Sequence, residues 1–286
     1  MEAKNPVKSL RKAVAVLMSF SASQTIIGTN EMARKVGISK TSAHRIITTL
    51  NEAGILERDE KTAKYQIGPA LYVLGSLYLK SADFLKVADS IIKEVSNLTS
   101  EVVNLAIFDK GYITIVLRED CKHHLRLMGY IGYTSPAYAH ASGKALLSEF
   151  NEAEIDRLYP NGALNPLTKK TVATKTELKR ELELVRKTGV AVNVEQAFEG
   201  EEAYGSVIRN ASGKAIAALA VAVPVFRVNE AKRQKLASFV KLAASLISYR
   251  LGYQDKNTII FTVKELRDWW NQNCVSSINK ASSIAR

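Results

Sequence analysis

Two short runs of apolar residues at helical spacing flank Gly37. In Thr29–Val36 the side chains of Met32, Ala33 and Val36 share one face; in Lys40–Ala53, Ala43, Ile46, Ile47 and Leu50 do the same. Thr29 is placed to cap the first run and Ser39 the second, while Gly37 supplies the positive φ of a sharp turn and Ile38 folds back toward the core. Ala33 and Ala43 are small where the two helices must cross steeply. Gly54 stands where a left-handed helix stop belongs, and Ile55–Glu57 and Tyr65–Ile67 then read as strands around the polar tip Asp59–Lys64. Upstream, Val7–Ser19 reads as the first helix, with Leu10, Ala13, Val14 and Leu17 as an apolar stripe at helical spacing, and Ser21–Gly28 reads as a loop. Helix, turn, helix and two-stranded wing form the pattern of a winged DNA-binding domain.

The other face of the second run supports that reading. Lys40, Thr41, Ser42, His44, Arg45 and Thr48 point outward, Lys64 stands at the wing tip, and none is acidic. These side chains donate to phosphates and base edges, which makes them the candidate DNA-binding residues. A helical hairpin with an ordinary solvated basic face is the competing reading. The two caps and the following wing count against it.

Beyond the wing the pattern changes. Gly68-Pro69 opens a helix to about Lys80, with Leu71, Leu74, Leu77 and Tyr78 as an apolar stripe assigned to a contact between two chains. Phe84, Ala88, Ile91, Val95 and Leu98 alternate spacings of four and three, a stripe assigned to the core of its own domain. Val102–Asp109 and Tyr112–Glu119 read as a hairpin turning at Lys110-Gly111, with Leu125–Tyr130 as a third strand. Helices follow at Ala139–Phe150, Asn151–Leu158 and Thr174–Thr188. Val190–Val194, Tyr204–Arg209 and Ala215–Val223 are strands, and Asn229–Tyr253 is a long closing helix. The expected architecture is α+β, with an antiparallel sheet and helices packed on it. The boundaries are residues 1–68 for the winged domain, 69–83 for a linking and dimerising helix, 84–253 for the second domain and 254–286 for an extension. In the extension, Thr262 and Glu265 form a capping-box pattern ahead of Trp269 and Trp270, so this helix either docks on a chain or trails loosely.

Composition adds two points. The formal net charge of +12 suits a polyanionic partner, although residues 1–80 hold only half of the excess. No apolar run approaches the ~18 residues of a membrane span, and the first residues lack a signal core, so a cytoplasmic location is expected. Cys121 and Cys274 lack metal-ligand spacing and read as free thiols.

The phrases YAHASGKALL at Tyr138–Leu147 and GVAVN…GSVIRNASGKAIAALAVAVP at Gly189–Pro224, behind a winged domain, resemble the IclR family of transcriptional regulators. The resemblance covers Val7 to Tyr253. It implies a GAF-like effector-binding domain joined through a helix to the DNA-binding domain. The partners it implies are double-stranded operator DNA, a small-molecule effector and a second copy of the chain as homodimer or homotetramer, most often for repression, with no cofactor. Carried over by position, the effector site takes in His140, Ala141 and Ser142 at a helix start and Asn193, Ala203, Ala220 and Ala222 on the sheet. Asn193 stands where many members carry Asp, the three alanines where many carry Cys or Ser, and Val207 where proline is common. Fewer donors and more room imply a larger, partly apolar or aromatic effector with one polar end at His140 and Ser142, since an ionised group left underpaired in a closed pocket costs several kcal/mol. An effector-less regulator that answers to a partner protein is the alternative.

Other chemistry fails on spacing. Gly143-Lys144 lacks the first glycine and the final Ser/Thr of a phosphate-binding loop. The neighbouring His123 and His124 would point to opposite faces of a strand. No Ser-His-Asp or Cys-His set assembles, so an enzyme ranks second and an architectural DNA-binder third.

Overall fold

The computed structural model describes residues 7–21, 23–81, 83–121, 127–254, 259–260 and 262–282, with the side chains of 78–83 and of 274 onward outside that description. The stripe residue Tyr78, His123, His124, the thiol of Cys274 and the start of the expected strand at 125–126 lie outside it. The chain divides into two compact units, residues 1–83 and 84–286.

The first unit runs α1 (Lys8–Leu17), β1 (Ile26–Ile27), α2 (Thr29–Val36), α3 (Lys40–Glu52), β2 (Leu56–Arg58), β3 (Tyr65–Ile67) and α4 (Pro69–Ser81). Its core gathers Val16, Ile27, Met32, Ala33, Ala43, Ile47, Leu50, Leu56 and Tyr65. Gly37 closes α2 at φ 69°, and the Ser39 hydroxyl accepts the Ser42 N–H at 3.2 Å to start α3. Three expectations are corrected. Thr29 opens α2 instead of capping it; Gly28 holds the cap position and brings no side chain. Ile26–Ile27 is a strand and not loop: it pairs with Tyr65 and Gln66, so the wing sheet has the order β1-β3-β2. A two-residue strand has no periodicity to read and exists only through its partner. On α1 only Val16 is buried, while Leu10 and Val14 are 63% and 51% exposed, so of the predicted stripe only Leu17 packs on the core and its first half faces out. The helix turns its Val16–Leu17 edge to the core and leaves Leu10, Val14 and Met18, one turn apart, uncovered. Leu74 and Leu77 of α4 are likewise exposed.

The second unit runs α5 (Asp83–Thr99), β4 (Val102–Asp109), β5 (Tyr112–Glu119), β6 (Thr134–Pro136), α6 (Ala141–Leu147), α7 (Glu152–Leu158), α8 (Lys175–Thr188), β7 (Ala191–Val194), β8 (Glu201–Arg209), β9 (Ala215–Pro224), α9 (Glu230–Arg250) and α10 (Val263–Ser282). The sheet order is β6-β5-β4-β9-β8-β7, antiparallel throughout. Lys110 and Gly111, both at positive φ, make the tight hairpin between β4 and β5. Leu85, Ala88, Ile91, Ile92 and Val95 of α5 are buried, as a core stripe should be. Capping boxes at Asn151/Glu154 and Thr174/Glu177 start α7 and α8.

Two elements depart from their sequence reading. The third strand is Thr134–Pro136, not Leu125–Tyr130: residues 127–130 are irregular, and Gly129 and Gly132 at φ 119° and 91° turn the chain before it reaches β5. The expected helix Ala139–Phe150 shrinks to Ala141–Leu147, because residues 137–139 tighten into a 3-10 turn and Ser148 ends it. The start of α6 lies against β8. A Cβ on Gly205 would sit 2.6 Å from the Ala141 carbonyl, and one on Gly143 would sit 2.1 Å from the Ala137 oxygen, so both positions need glycine.

The extension docks on its own unit. Trp269 stacks on Phe239 of α9 with centroids 5.8 Å apart, Trp270 packs on the same ring at 4.6 Å, and Lys235 Nζ lies 3.5 Å from the Trp270 centroid. Arg267 pairs with Glu94 of α5 at 2.6 Å. No described helix is long and apolar enough to cross a membrane.

Candidate DNA interface and effector site

Ser39 and Gly37 hold α3 so that Ala43, Ile47 and Leu50 face the core. The opposite face follows from helical periodicity. Lys40, Thr41, His44 and Arg45 are exposed, Ser42 and Thr48 half-buried, and Lys64 is exposed at the wing. Thr48 Oγ1 and His44 Nδ1 lie 3.5 Å apart, and Thr49 turns its hydroxyl back to the Arg45 carbonyl at 3.1 Å. At the wing tip Asp59 accepts the N–H groups of Lys61 and Thr62 at 2.9 and 2.8 Å, bonds that hold its carboxyl below the usual range. Lys61 and Lys64 are thereby presented on an ordered turn. A groove of about 770 Å³ between α1 and α3 is lined by Lys8, Lys12, Ser39, Thr41, Ser42 and Arg45 among others. Lys8 and Lys12 were not legible as site residues, because their place beside α3 depends on how α1 packs.

In the second unit the alanines come together as the register requires. Ala203 pairs with Ala222 on β9 and with Asn193 on β7, and Gly205 pairs with Ala220. Ala203, Ala222 and Ala141 form one apolar cluster against which Leu127 packs, so this face of the sheet meets the start of α6. Directly paired residues share a face. On this face, therefore, Ala220 has Asn104 beside it on β4, and Asn104 has Arg118 beside it on β5. The Arg118 guanidinium donates to Asn104 Oδ1 at 3.2 Å, Asp120 at 2.7 Å and the Leu127 carbonyl at 3.0 Å. It thereby ties the incoming loop to the sheet.

His140 ends the 3-10 turn ahead of α6, its ring 6.0 Å from both Tyr133 and Phe198. Its Nε2 is enclosed without a hydrogen-bond partner. Burial, with the Lys144 charge nearby, pushes its pKa down to about 4, so the ring is neutral near pH 7. Ser142 is buried, and its hydroxyl makes no hydrogen bond among the described residues. Asn193 is differently employed. Its Nδ2 donates to the Ala139 carbonyl at 2.6 Å and its Oδ1 accepts the Gln196 N–H at 2.9 Å, so the amide braces the His140 segment. Lys144, buried beneath α6, donates to Glu181 at 2.6 Å, Gln196 Oε1 at 2.9 Å and the Val192 carbonyl at 3.3 Å. Its role is structural, in keeping with the failed phosphate-loop spacing.

Sequence reading missed Asn104, Arg118, Tyr133, Phe198 and Glu201 around this site. Arg118 and Asn104 could have been sought as polar residues on predicted strands. Glu201 was hidden because the strand was read as starting at Tyr204.

A winged helix-turn-helix unit followed by a unit in which helices pack on an antiparallel sheet is the architecture of a ligand-responsive transcriptional regulator. The IclR helix-turn-helix model matches residues 9–60, and the model of the bacterial transcriptional regulator IclR C-terminal domain matches residues 76–249. The HTH-type transcriptional regulator KdgR of Escherichia coli K12 is 27% identical over 249 residues, covering 87% of this chain and 94% of KdgR. The crystal structure of the Thermotoga maritima IclR superposes with a TM-score of 0.66 at 26% identity, over 86% of this chain and 99% of that one. An IclR homologue from Microbacterium hydrocarbonoxydans, solved in complex with 4-hydroxybenzoate, shares the fold with a TM-score of 0.75 at 22% identity, over 85% and 99%. The chain belongs to the IclR family: it is a DNA-binding transcriptional regulator with a C-terminal effector-binding domain.

Proposed function

We propose that the chain acts as a homodimeric or homotetrameric repressor in the cytoplasm, not as an enzyme, and that α3 reads operator DNA under control of a metabolite held beside His140. The observation that carries this reading is the outer face of the first two turns of α3, where Lys40, Thr41, His44 and Arg45 are all exposed and none is acidic. A helix of ~13 residues spans ~20 Å, enough to lie along one major-groove face. Lys40 and Arg45 point away from the core, so Lys40→Ala and Arg45→Ala should weaken operator binding and leave the fold intact. Each loss is expected at about 1–3 kcal/mol if the side chain reads a base, with relaxed specificity at one position. Mobility-shift titration on operator fragments recovered by genomic footprinting provides the measurement, and undiminished affinity in the double variant would refute the assignment.

Two uncovered apolar edges support assembly: Leu10, Val14 and Met18 on α1, and Leu74 and Leu77 on α4. Two copies joined there would set two α3 helices roughly 34 Å apart for inverted half-sites. Leu74→Glu is expected to yield monomers with poor operator affinity. Analytical ultracentrifugation showing the parent oligomer would instead leave the stripe without that role.

For the effector, the alanine floor and the rings of Tyr133 and Phe198 around His140 favour a partly apolar or aromatic molecule. The homologue solved with 4-hydroxybenzoate holds a ligand of that kind. Ser142 and His140 would receive its polar end, with Ala141, Ala203, Ala220 and Ala222 along its body and Asn193 bracing the segment behind His140.

A further inference from the structure

Three glutamates are buried among the described residues, and two of them are ion-paired. Glu101 meets Lys232 at 2.8 Å and Arg227 at 3.2 Å. Glu202 meets Arg233 at 2.8 Å and accepts the Tyr204 hydroxyl at 2.5 Å. The side chain of Glu201, a residue only 8% exposed, has no hydrogen bond or ion pair among the described residues; its backbone bonds Glu195 and Phe198. The difference is one of face. Adjacent residues on a strand point to opposite sides, so Glu202 looks toward α9, which supplies Arg233. Glu201 shares its face with Ala203, two residues on, and so borders the alanine floor of the effector site. Arg118 lies near enough for its charge to act on Glu201, yet it spends its donors on Asp120, Asn104 and the 127–128 carbonyls and does not reach it. Desolvation pushes the Glu201 carboxyl up to about 7, against the opposing pull of Arg118.

A buried acid without a partner costs free energy unless something else supplies the partner. The described residues around it do not, and the alanines offer no donor. We infer that Glu201 is a specificity-determining residue of the effector site, and that the effector presents a hydrogen-bond donor, an amino or hydroxyl group, to its carboxyl group. This rests on the effector reading of the second unit and extends it: the ligand has a polar group at the Glu201 end as well as at the His140 end. A ligand lacking that donor would leave the acid desolvated and unpaired, which is how one buried group discriminates strongly between near-isosteres.

The test uses the full-length protein and three matched probes: 4-(aminomethyl)benzoate, 4-(hydroxymethyl)benzoate and 4-methylbenzoate. Calorimetric titration should show both donor-bearing probes binding at least tenfold more tightly than the methyl compound. In Glu201→Leu that order should invert. In Glu201→Gln, which keeps shape and folding, the preference for the amine should vanish while that for the hydroxyl persists. Equal or tighter binding of 4-methylbenzoate to the wild type, an unchanged order in Glu201→Leu, or binding of none of the three would overturn the inference. Operator affinity measured in parallel separates the two levels: probes that bind without altering it count against the effector reading, whereas equal responses to all three count against the role of Glu201 alone.

Discussion

Replacing Glu181 with alanine is expected to destabilise the second unit by about 3 kcal/mol, the lower end of the range for breaking a buried ion pair. The Lys144 side chain is 1% exposed and Glu181 is 31% exposed, so the lost attraction is partly screened while the stranded ammonium is not. Burial already holds the Lys144 pKa below its ordinary value, with Glu181 opposing that shift. Without Glu181 the ammonium keeps only the Gln196 oxygen and the Val192 carbonyl. The consequence reaches the segment before His140, because Gln196 also bonds Glu181 at 3.0 Å and passes its N–H to Asn193, which holds the Ala139 carbonyl. Urea unfolding measures the loss. The double variant Lys144→Met/Glu181→Leu should recover much of it, since an apolar pair leaves no charge behind. A Glu181→Ala protein as stable as the parent would show that the ammonium finds another partner.

The second large effect concerns pH. The Glu201 carboxyl titrates at about 7 in the folded chain against an ordinary 4.5, so the fold favours its protonated form. Its penalty is therefore absent below about pH 4.5 and complete above about pH 7. At 1.36 kcal/mol per unit it reaches about 3 kcal/mol. His140 runs the other way. It titrates at about 4 against an ordinary 6.5, so the stability of its neutral form is complete above about pH 6.5 and is lost as pH falls through 4, again by about 3 kcal/mol. The charged groups acting on the pair are Arg118, which lowers the Glu201 pKa, and Lys144, which lowers that of His140; Asp120 pairs with Arg118. Between pH 4.5 and 7 the two contributions nearly cancel in the parent protein. Glu201→Gln should expose the His140 slope and be the more stable protein above pH 7, with the advantage gone near pH 4.5. His140→Phe should expose the opposite slope. Denaturation curves at a series of pH values test both, and a Glu201→Gln difference that is constant with pH would show that Glu201 does not titrate in this range.

What the sequence by itself determined was local. Gly37, Ser39 and Gly54 specify the helix-turn-helix because a left-handed turn and an N-cap act on their own neighbours. The Lys110-Gly111 hairpin and the capping box at Thr262/Glu265 are legible for the same reason. That Ala203, Ala220 and Ala222 share one face of the sheet was legible because they sit at even spacing on the strands that carry the IclR-like phrases. Tertiary structure decided whatever depends on a distant partner. Ile26–Ile27 became a strand only beside β3, and Thr134–Pro136 displaced the expected third strand because the two preceding glycines redirect the chain onto β5. α1 kept its apolar edge in the open because the core of the first unit accepts Val16 and little else of that helix. Glu201 and Glu202 are identical in sequence terms; the pleat of β8 sends one to Arg233 and leaves the other facing the alanines with no side-chain partner among the described residues.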